Sequence, residues 1–178
     1  MIRPPTVQES SKLITLAEAT GIFKPTEVET LLGRVLIEFY SGSLKQGHQI
    51  GVFDDGHGCA LGWTYFAPSL KVEKIWDLLW IGVDPSQHNK GIGQKLLDFV
   101  ESEVFTVGGR LLVIETSSTA RFEKVRHFYS SRGYTKCGSV PGFYGANDDK
   151  VTFVKKMMAK FSLGQPVSDP HTFDKTKS

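Results

Sequence analysis

The chain has little cysteine, no histidine cluster, no basic tract and no long apolar run. Its two cysteines, Cys59 and Cys137, show no metal-ligand spacing. They lie in strand-like segments, where buried free thiols are expected. The five histidines, His48, His57, His88, His127 and His171, form no His-x-x-x-His arrangement, so no metal is expected. A net charge of +2 without a basic run provides no electrostatic footprint for nucleic acid. No segment approaches membrane-spanning length, and the start, Met1-Ile2-Arg3-Pro4-Pro5, has no apolar signal core. Neither nucleic acid nor membrane is therefore expected as a partner, and a cytoplasmic location is. What is present is enough for one core: 178 residues, 40% of them hydrophobic, suit a single domain. That domain is expected over residues 1–158, with 159–178 a polar and mobile tail.

The most informative stretch runs from Trp80 to Gly93, Trp-Ile-Gly-Val-Asp-Pro-Ser-Gln-His-Asn-Lys-Gly-Ile-Gly. An apolar strand ends at Val83 and Pro85, a polar turn carries Gly91 and Gly93, and an amphipathic helix opens at Gln94-Lys95-Leu96-Leu97. A glycine turn feeding a helix leaves N–H groups unpaired at the positive end of the helix dipole. The pattern reads as a pyrophosphate cradle with Lys90 beside it. It is not a Walker loop, because Gln94-Lys95 stands where Lys-Ser/Thr is needed. Nor is it a dinucleotide fingerprint, which needs three glycines after an early strand.

Val-x-Pro followed by Gly-x-Gly at this distance resembles the acetyl-CoA loop of the GCN5-related N-acetyltransferases (GNAT). The family's Gln/Arg-x-x-Gly-x-Gly/Ala maps to His88, Asn89, Lys90, Gly91, Ile92 and Gly93, with His88 in place of Gln or Arg. Further along, Phe128-Tyr129-Ser130-Ser131-Arg132-Gly133-Tyr134 is similar to the family's Phe-Tyr-x-x-x-Gly-Phe segment. Gly142-Phe143-Tyr144-Gly145 and Lys150-Val151-Thr152-Phe153-Val154 then resemble its closing strands. The resemblance covers residues 1–158. It implies the GNAT fold, an α/β architecture with a central, mostly antiparallel twisted sheet, one splayed parallel strand pair and flanking helices.

The residue pattern places the elements. Ile2-Arg3 reads as a short strand and Gln8 to Gly21 as a helix. A second helix is expected to open on a capping box at Thr26-Glu27-Val28-Glu29, with Val28, Leu31, Leu32, Val35, Leu36 and Phe39 on its apolar face. Strands are expected from His48 to Phe53, Gly58 to Phe66 and Lys74 to Val83, the first two joined by Asp54-Asp55-Gly56. Leu111 to Thr116 reads as a strand buried on both faces. A helix around Phe122 to Tyr129 precedes two last strands joined by residues 145–149. The strand ending at Val83 and the one at Leu111 should be parallel neighbours, joined through the cradle helix.

The resemblance also implies the chemistry: direct acetyl transfer from acetyl-CoA, as co-substrate, to an amine. Ile81, Gly82 and Val83 would hold the acetyl and pantetheine through the main chain, and the turn from His88 to Gly93 the pyrophosphate. Tyr129 falls on the family's tyrosine, the acid for the departing thiolate; the other reading is a core residue, since Phe122, Val125 and Tyr129 share helical spacing. Asp77 lies where several members carry a catalytic glutamate. If no bulge intervenes, period-two alternation puts residues 77, 79, 81 and 83 on one face. Glu115 is the second candidate base and a water chain the third. The acceptor would lie between Thr20–Phe23 and the last hairpin, touching Phe23, Tyr144 and Asp148. A small-molecule amine, amino acid or peptide is expected as acceptor, and a homodimer stays open. The alternatives are a non-catalytic acyl-CoA-binding module and a protein lysine or N-terminal acetyltransferase.

Overall fold

The computed structural model describes residues 1–21 and 25–158. Seven strands form one sheet: β1 (Ile2–Arg3), β2 (Gln49–Asp54), β3 (Ala60–Pro68), β4 (Ile75–Val83), β5 (Leu111–Ser117), β6 (Thr135–Gly145) and β7 (Asp148–Lys156). Their order across the sheet is β1-β2-β3-β4-β5-β7-β6. Only β4 and β5 pair in parallel; the other neighbours are antiparallel. The helices are α1 (Ser10–Thr20), α2 (Pro25–Glu27), α3 (Arg34–Tyr40), α4 (Ile92–Thr106) and α5 (Glu123–Ser131).

Two cores lie on opposite faces of the sheet. On the first, Leu13, Leu16 and Ala17 of α1 and Val28, Leu32 and Leu36 cover Ile50, Val52, Trp63, Tyr65 and Trp80. On the second, Leu97, Val100 and Val104 of α4 and Tyr129 of α5 cover Phe66, Trp76, Leu78, Leu112, Ile114, Val151 and Phe153. Leu78 and Trp80 are two residues apart, yet they face opposite sides. The register explains this: Tyr65 lies opposite Trp80 but Phe66 opposite Leu78, so Leu79 is an extra residue in β4. A bulge of this kind reverses the facing of everything beyond it.

Several local expectations are corrected. The second helix opens at Pro25, not on a box at Thr26, because proline suits the first helical position. A π-helical segment, Val28–Gly33, separates α2 from α3. The wider turn keeps Val28, Leu32 and Leu36 inward and leaves Leu31 52% exposed. The Leu111 strand is fully buried on one face, at Leu112, Ile114 and Thr116, while on the other Leu111 and Val113 are half-buried, Glu115 is exposed and Ser117 is buried. Cys59 is half-buried and Cys137 exposed, since every residue of the edge strand β6 faces solvent.

A capping box does form at the start of the chain, where the Glu9 carboxylate accepts from the Thr6 N–H at 2.9 Å. The same carboxylate takes both Arg3 Nη1 (2.8 Å) and Nη2 (2.7 Å), and Arg3 Nε also donates to Asp54 on β2 (2.9 Å). The Arg3 guanidinium holds the Glu9 carboxyl at about 2, below its ordinary 4.5. A lowered carboxyl pKa stabilises the fold fully above 4.5, and the contribution fades as pH falls toward 2. Wild type should therefore unfold at a higher temperature than Glu9→Gln at pH 7. The gap should shrink steadily between pH 4.5 and 2 in thermal melts, and a pH-independent gap would contradict the linkage.

Candidate active site

The parallel pairing of β4 with β5 covers only Ile75–Leu78 against Leu111–Ile114. Beyond that point β4 continues to Val83 beside β3, while β5 continues to Ser117 beside β7. The two strands fork. The Asp84 N–H donates to the Leu61 carbonyl at 2.9 Å, which sets the alternation along the upper half of β4. Gly82 and Trp80 turn their peptide groups toward β3; Ile81 and Val83 turn theirs into the fork. Gly82 itself packs tightly: a Cβ there would stand 2.5 Å from the Trp80 ring and 3.3 Å from Thr20.

Past the fork, Asp84 caps a 3-10 turn by accepting from the Ser86 N–H (2.8 Å), and the chain then reverses through Asn89 (φ 63°) and Gly91 (φ 78°). Glycine at 91 is what allows the second of these left-handed conformations. Its missing Cβ would meet nothing within 4 Å, so the turn is open above that residue. The first rung of α4 runs from the Lys95 N–H to the Gly91 carbonyl (3.0 Å). The N–H groups of Ile92, Gly93 and Gln94 lie ahead of that ladder, at the positive end of the helix. A Cβ on Gly93 would make ordinary contacts with Val83 and Phe128. Two side chains of the turn fold back: His88 Nε2 lies 3.1 Å from the Val83 carbonyl, and Lys90 donates to Gln87 (3.0 Å). The residues present fit a pyrophosphate held by main-chain donors.

The bulge separates the candidate acid and bases. Ile81 packs against the α4–α5 core, whereas Asp77, between Trp76 and Leu78, faces the other way. The expected common face for 77 and 81 is therefore corrected: Leu79 intervenes. Asp77 is half-buried, and burial together with the nearby Glu115 charge pushes its carboxyl up. Glu115 follows Ile114, the last residue of β5 opposite β4, and shares the face of Asp77. It is nearly half exposed and pairs with Lys150 at 3.0 Å. Of the two acids, Asp77 has the environment a base requires.

Tyr129 lies on the opposite face, 4% exposed, its ring against Tyr134 and Phe153. Among the described residues its hydroxyl has no hydrogen-bond partner, and burial pushes the phenol up. The phenol thus stays protonated at any physiological pH. The cradle helix and Tyr129 occupy one side of the sheet, the carboxylates the other, and the fork connects them.

On the acceptor side, Phe23 lies outside the described residues. Asp148 serves the fold through one oxygen: its Oδ1 accepts from Ser117 Oγ (2.6 Å) and the Ser118 N–H (3.2 Å), tying β7 to the end of β5. Asp149 likewise accepts from the Gly142 N–H (2.9 Å). Tyr144 is half-exposed, its phenol pushed up by burial and then by Glu115 and Asp148. Three basic residues escaped sequence reasoning. Arg132 donates to Gln94 in the first turn of α4, Arg121 reaches the Thr20 carbonyl at 3.2 Å, and Lys150 holds Glu115. Only the side of α5 that carries Arg132 was legible beforehand; cross-strand ion pairs leave no sequence signal.

Among the described residues no group of histidines, cysteines or acids could hold a metal ion, and no helix is long and apolar enough to cross a membrane.

A strand fork beside an open, glycine-bearing turn at a helix N-terminus defines an acyl-CoA-type transferase site. The model of the acetyltransferase (GNAT) domain matches residues 46–136, and the chain belongs to that family: it is a GNAT N-acetyltransferase. A Desulfovibrio desulfuricans protein assigned to the same family is 28% identical, with TM-score 0.81 over 89% of this chain and 99% of its own. An aminoglycoside 6'-N-acetyltransferase solved with coenzyme A is 16% identical, TM-score 0.70, covering 89% and 97%. The Escherichia coli ribosomal-protein-S18-alanine N-acetyltransferase is 14% identical, TM-score 0.67, covering 93% and 99%. The last two likenesses are of fold. Among curated proteins none matches the sequence.

Proposed function

We propose that this chain transfers acetyl from acetyl-CoA directly to the primary amine of a small molecule, amino acid or peptide. The observation that carries the reading is the fork: two main-chain groups of β4, at Ile81 and Val83, face a gap that begins between acids on one side and a buried phenol on the other. Acetyl-CoA supplies an activated acyl group. The residues here bind it, orient it and move protons. Main-chain donors at Ile92, Gly93 and Gln94 take the pyrophosphate, and an N–H of the fork stabilises the carbonyl oxygen as charge develops on it. Asp77, raised by burial, receives a proton from the acceptor amine, directly or through water, and Tyr129 gives one to the departing sulfur. Donor and acceptor approach from opposite faces of the sheet.

The fold relatives act, by their names, on aminoglycosides and on a ribosomal-protein alanine, so they favour neither a small nor a protein acceptor. A thiol-release assay with acetyl-CoA and a panel of amines tests the reading. CoA release that depends on an added amine, with one acetyl appearing on that amine, is expected. Tight acetyl-CoA binding with no turnover across the panel would favour a binding module instead.

The Asp77 role has its own signature. A base must be ionised, so kcat/KM should fall as pH drops through the raised Asp77 pKa. Asp77→Asn should lose activity by about 10²-fold or more and lose that acid limb. If Asp77→Asn keeps the wild-type profile, the proton leaves by another route.

A further inference from the structure

Lys150 is a firmly placed cation beside the candidate acids that the proposed chemistry does not use. It stands on β7 opposite Ser117, and its neighbour Val151 is buried in the α4–α5 core. Its own side chain therefore lies on the other face, with Asp77 and Glu115. There its ammonium sits 3.0 Å from a Glu115 carboxylate oxygen and 4.1 Å from the centroid of the Phe143 ring. A carboxylate and an aromatic face are the two groups that recognise an ammonium ion. Tyr144 closes against Phe143 edge-on, with ring centroids 5.0 Å apart, which fixes the aromatic wall. Lys150 is 17% exposed, but Glu115 is 46% and Phe143 55%. The seat can thus be entered from solvent, and it begins at Glu115, directly after the last β5 residue opposite β4.

Resting on the acetyltransferase reading above, we propose that Glu115 and Phe143 form a seat for a positively charged group of the acceptor, in which the ammonium of Lys150 stands in until the acceptor arrives. The amine that receives acetyl must be neutral when it reacts, so the seated cation is a second group. The acceptor class is then an amine that bears a separate positive charge, as a diamine does. Glu115 becomes a specificity residue, which leaves the proton to Asp77. Displacing Lys150 is feasible because its partners Glu115 and Phe143 are open to solvent, where ion pairs and cation–π contacts are individually weak, and the incoming ammonium replaces both contacts.

The test is calorimetry on the CoA-loaded protein with 1,5-diaminopentane and its neutral match, 1,5-pentanediol. Lys150→Met vacates the seat and keeps the stem's bulk. It should bind the diamine about tenfold more tightly than wild type, with no gain for the diol, and Lys150→Met combined with Phe143→Leu should lose that gain. Lys150→Ala, with melting temperatures for all variants, guards against a change caused by misfolding. No gain for the diamine, an equal gain for the diol, or a gain that survives loss of Phe143 would overturn the proposal. The two readings fail separately. Seated binding of the diamine with no thiol release from any amine of the panel would sink the enzymatic reading alone. Turnover of amines with an unaltered diamine affinity would sink the seat alone.

Discussion

Tyr129→Phe is expected to slow acetyl transfer by about 10²–10⁴-fold, with acetyl-CoA affinity and melting temperature almost unchanged. The magnitude is that of losing one general acid. The unchanged stability follows from the packing. The ring keeps its contacts with Tyr134 and Phe153, and among the described residues the hydroxyl removed has no hydrogen-bond partner to leave unsatisfied. A phenol buried in a core usually bonds to something; Tyr129 does so with no described residue, while Tyr134, next to it, donates to Glu101 at 3.0 Å. The same substitution at Tyr134 serves as a contrast, because it strips a partner from a buried carboxylate and should cost stability instead of rate. Single-turnover rates at saturating acetyl-CoA decide the matter. A Tyr129→Phe protein at the wild-type chemical rate would make the residue a packing element only.

The second large effect is at the turn. Gly91→Val should weaken acetyl-CoA binding by at least tenfold in calorimetry. A Cβ at 91 meets no protein atom, so crowding within the fold is not the cause. The cause is φ 78°, a conformation that costs an L-residue about 1–2 kcal/mol and a β-branched one more. The turn escapes by rotating, and the N–H groups behind it lose their common aim. Gly108 supplies the control. It has φ 77° just past the other end of α4, again with nothing near its Cβ. Gly108→Val should lose similar stability and keep its affinity. Equal affinity losses in both variants would point to general destabilisation, and no loss at Gly91 would remove the pyrophosphate from this turn.

What could be read from the sequence and what could not divide along physical lines. The glycine turn was legible because a left-handed backbone at a helix start admits few residues other than glycine, and the need shows as a letter. The parallel β4–β5 pair was legible because a strand, a helix and a strand in succession leave little choice. The bulge at Leu79 was not. Trp76, Leu78, Trp80 and Gly82 are all buried, two on each side, because helices cover both faces there. The alternation in the sequence therefore runs on without a break while the strand turns over. Asp148 has a second duty that was not legible: its Oδ1 ties Ser117 and Ser118 to the last hairpin, a contact between distant segments that a turn sequence does not announce. Lys150 and Glu115 meet across two strands, and nothing local marks such a pair. The capping box was expected at Thr26 and occurs at Thr6: both stretches read Pro-Thr-x-x-Glu, so nothing local distinguishes them, and only the fold shows that the helix takes in Pro25 while Pro5 stays outside.

The fork also makes the molecule a body with a seam. On one side lie β1 to β4 with α1 to α3; on the other lie β5, β7 and β6. Four pairs of strand residues and the α4–α5 core beneath them join the two, α4 crosses as the covalent link, and Arg121 reaches over to the carbonyl of Thr20. That last contact is close enough that a Cβ on Gly21 would overlap the guanidinium. Any molecule lying in the fork touches both halves and acts on the seam as a staple. The Arg121 clasp on Thr20 can therefore set how firmly such a molecule is held, whether or not it touches it, simply by deciding how readily the two halves part.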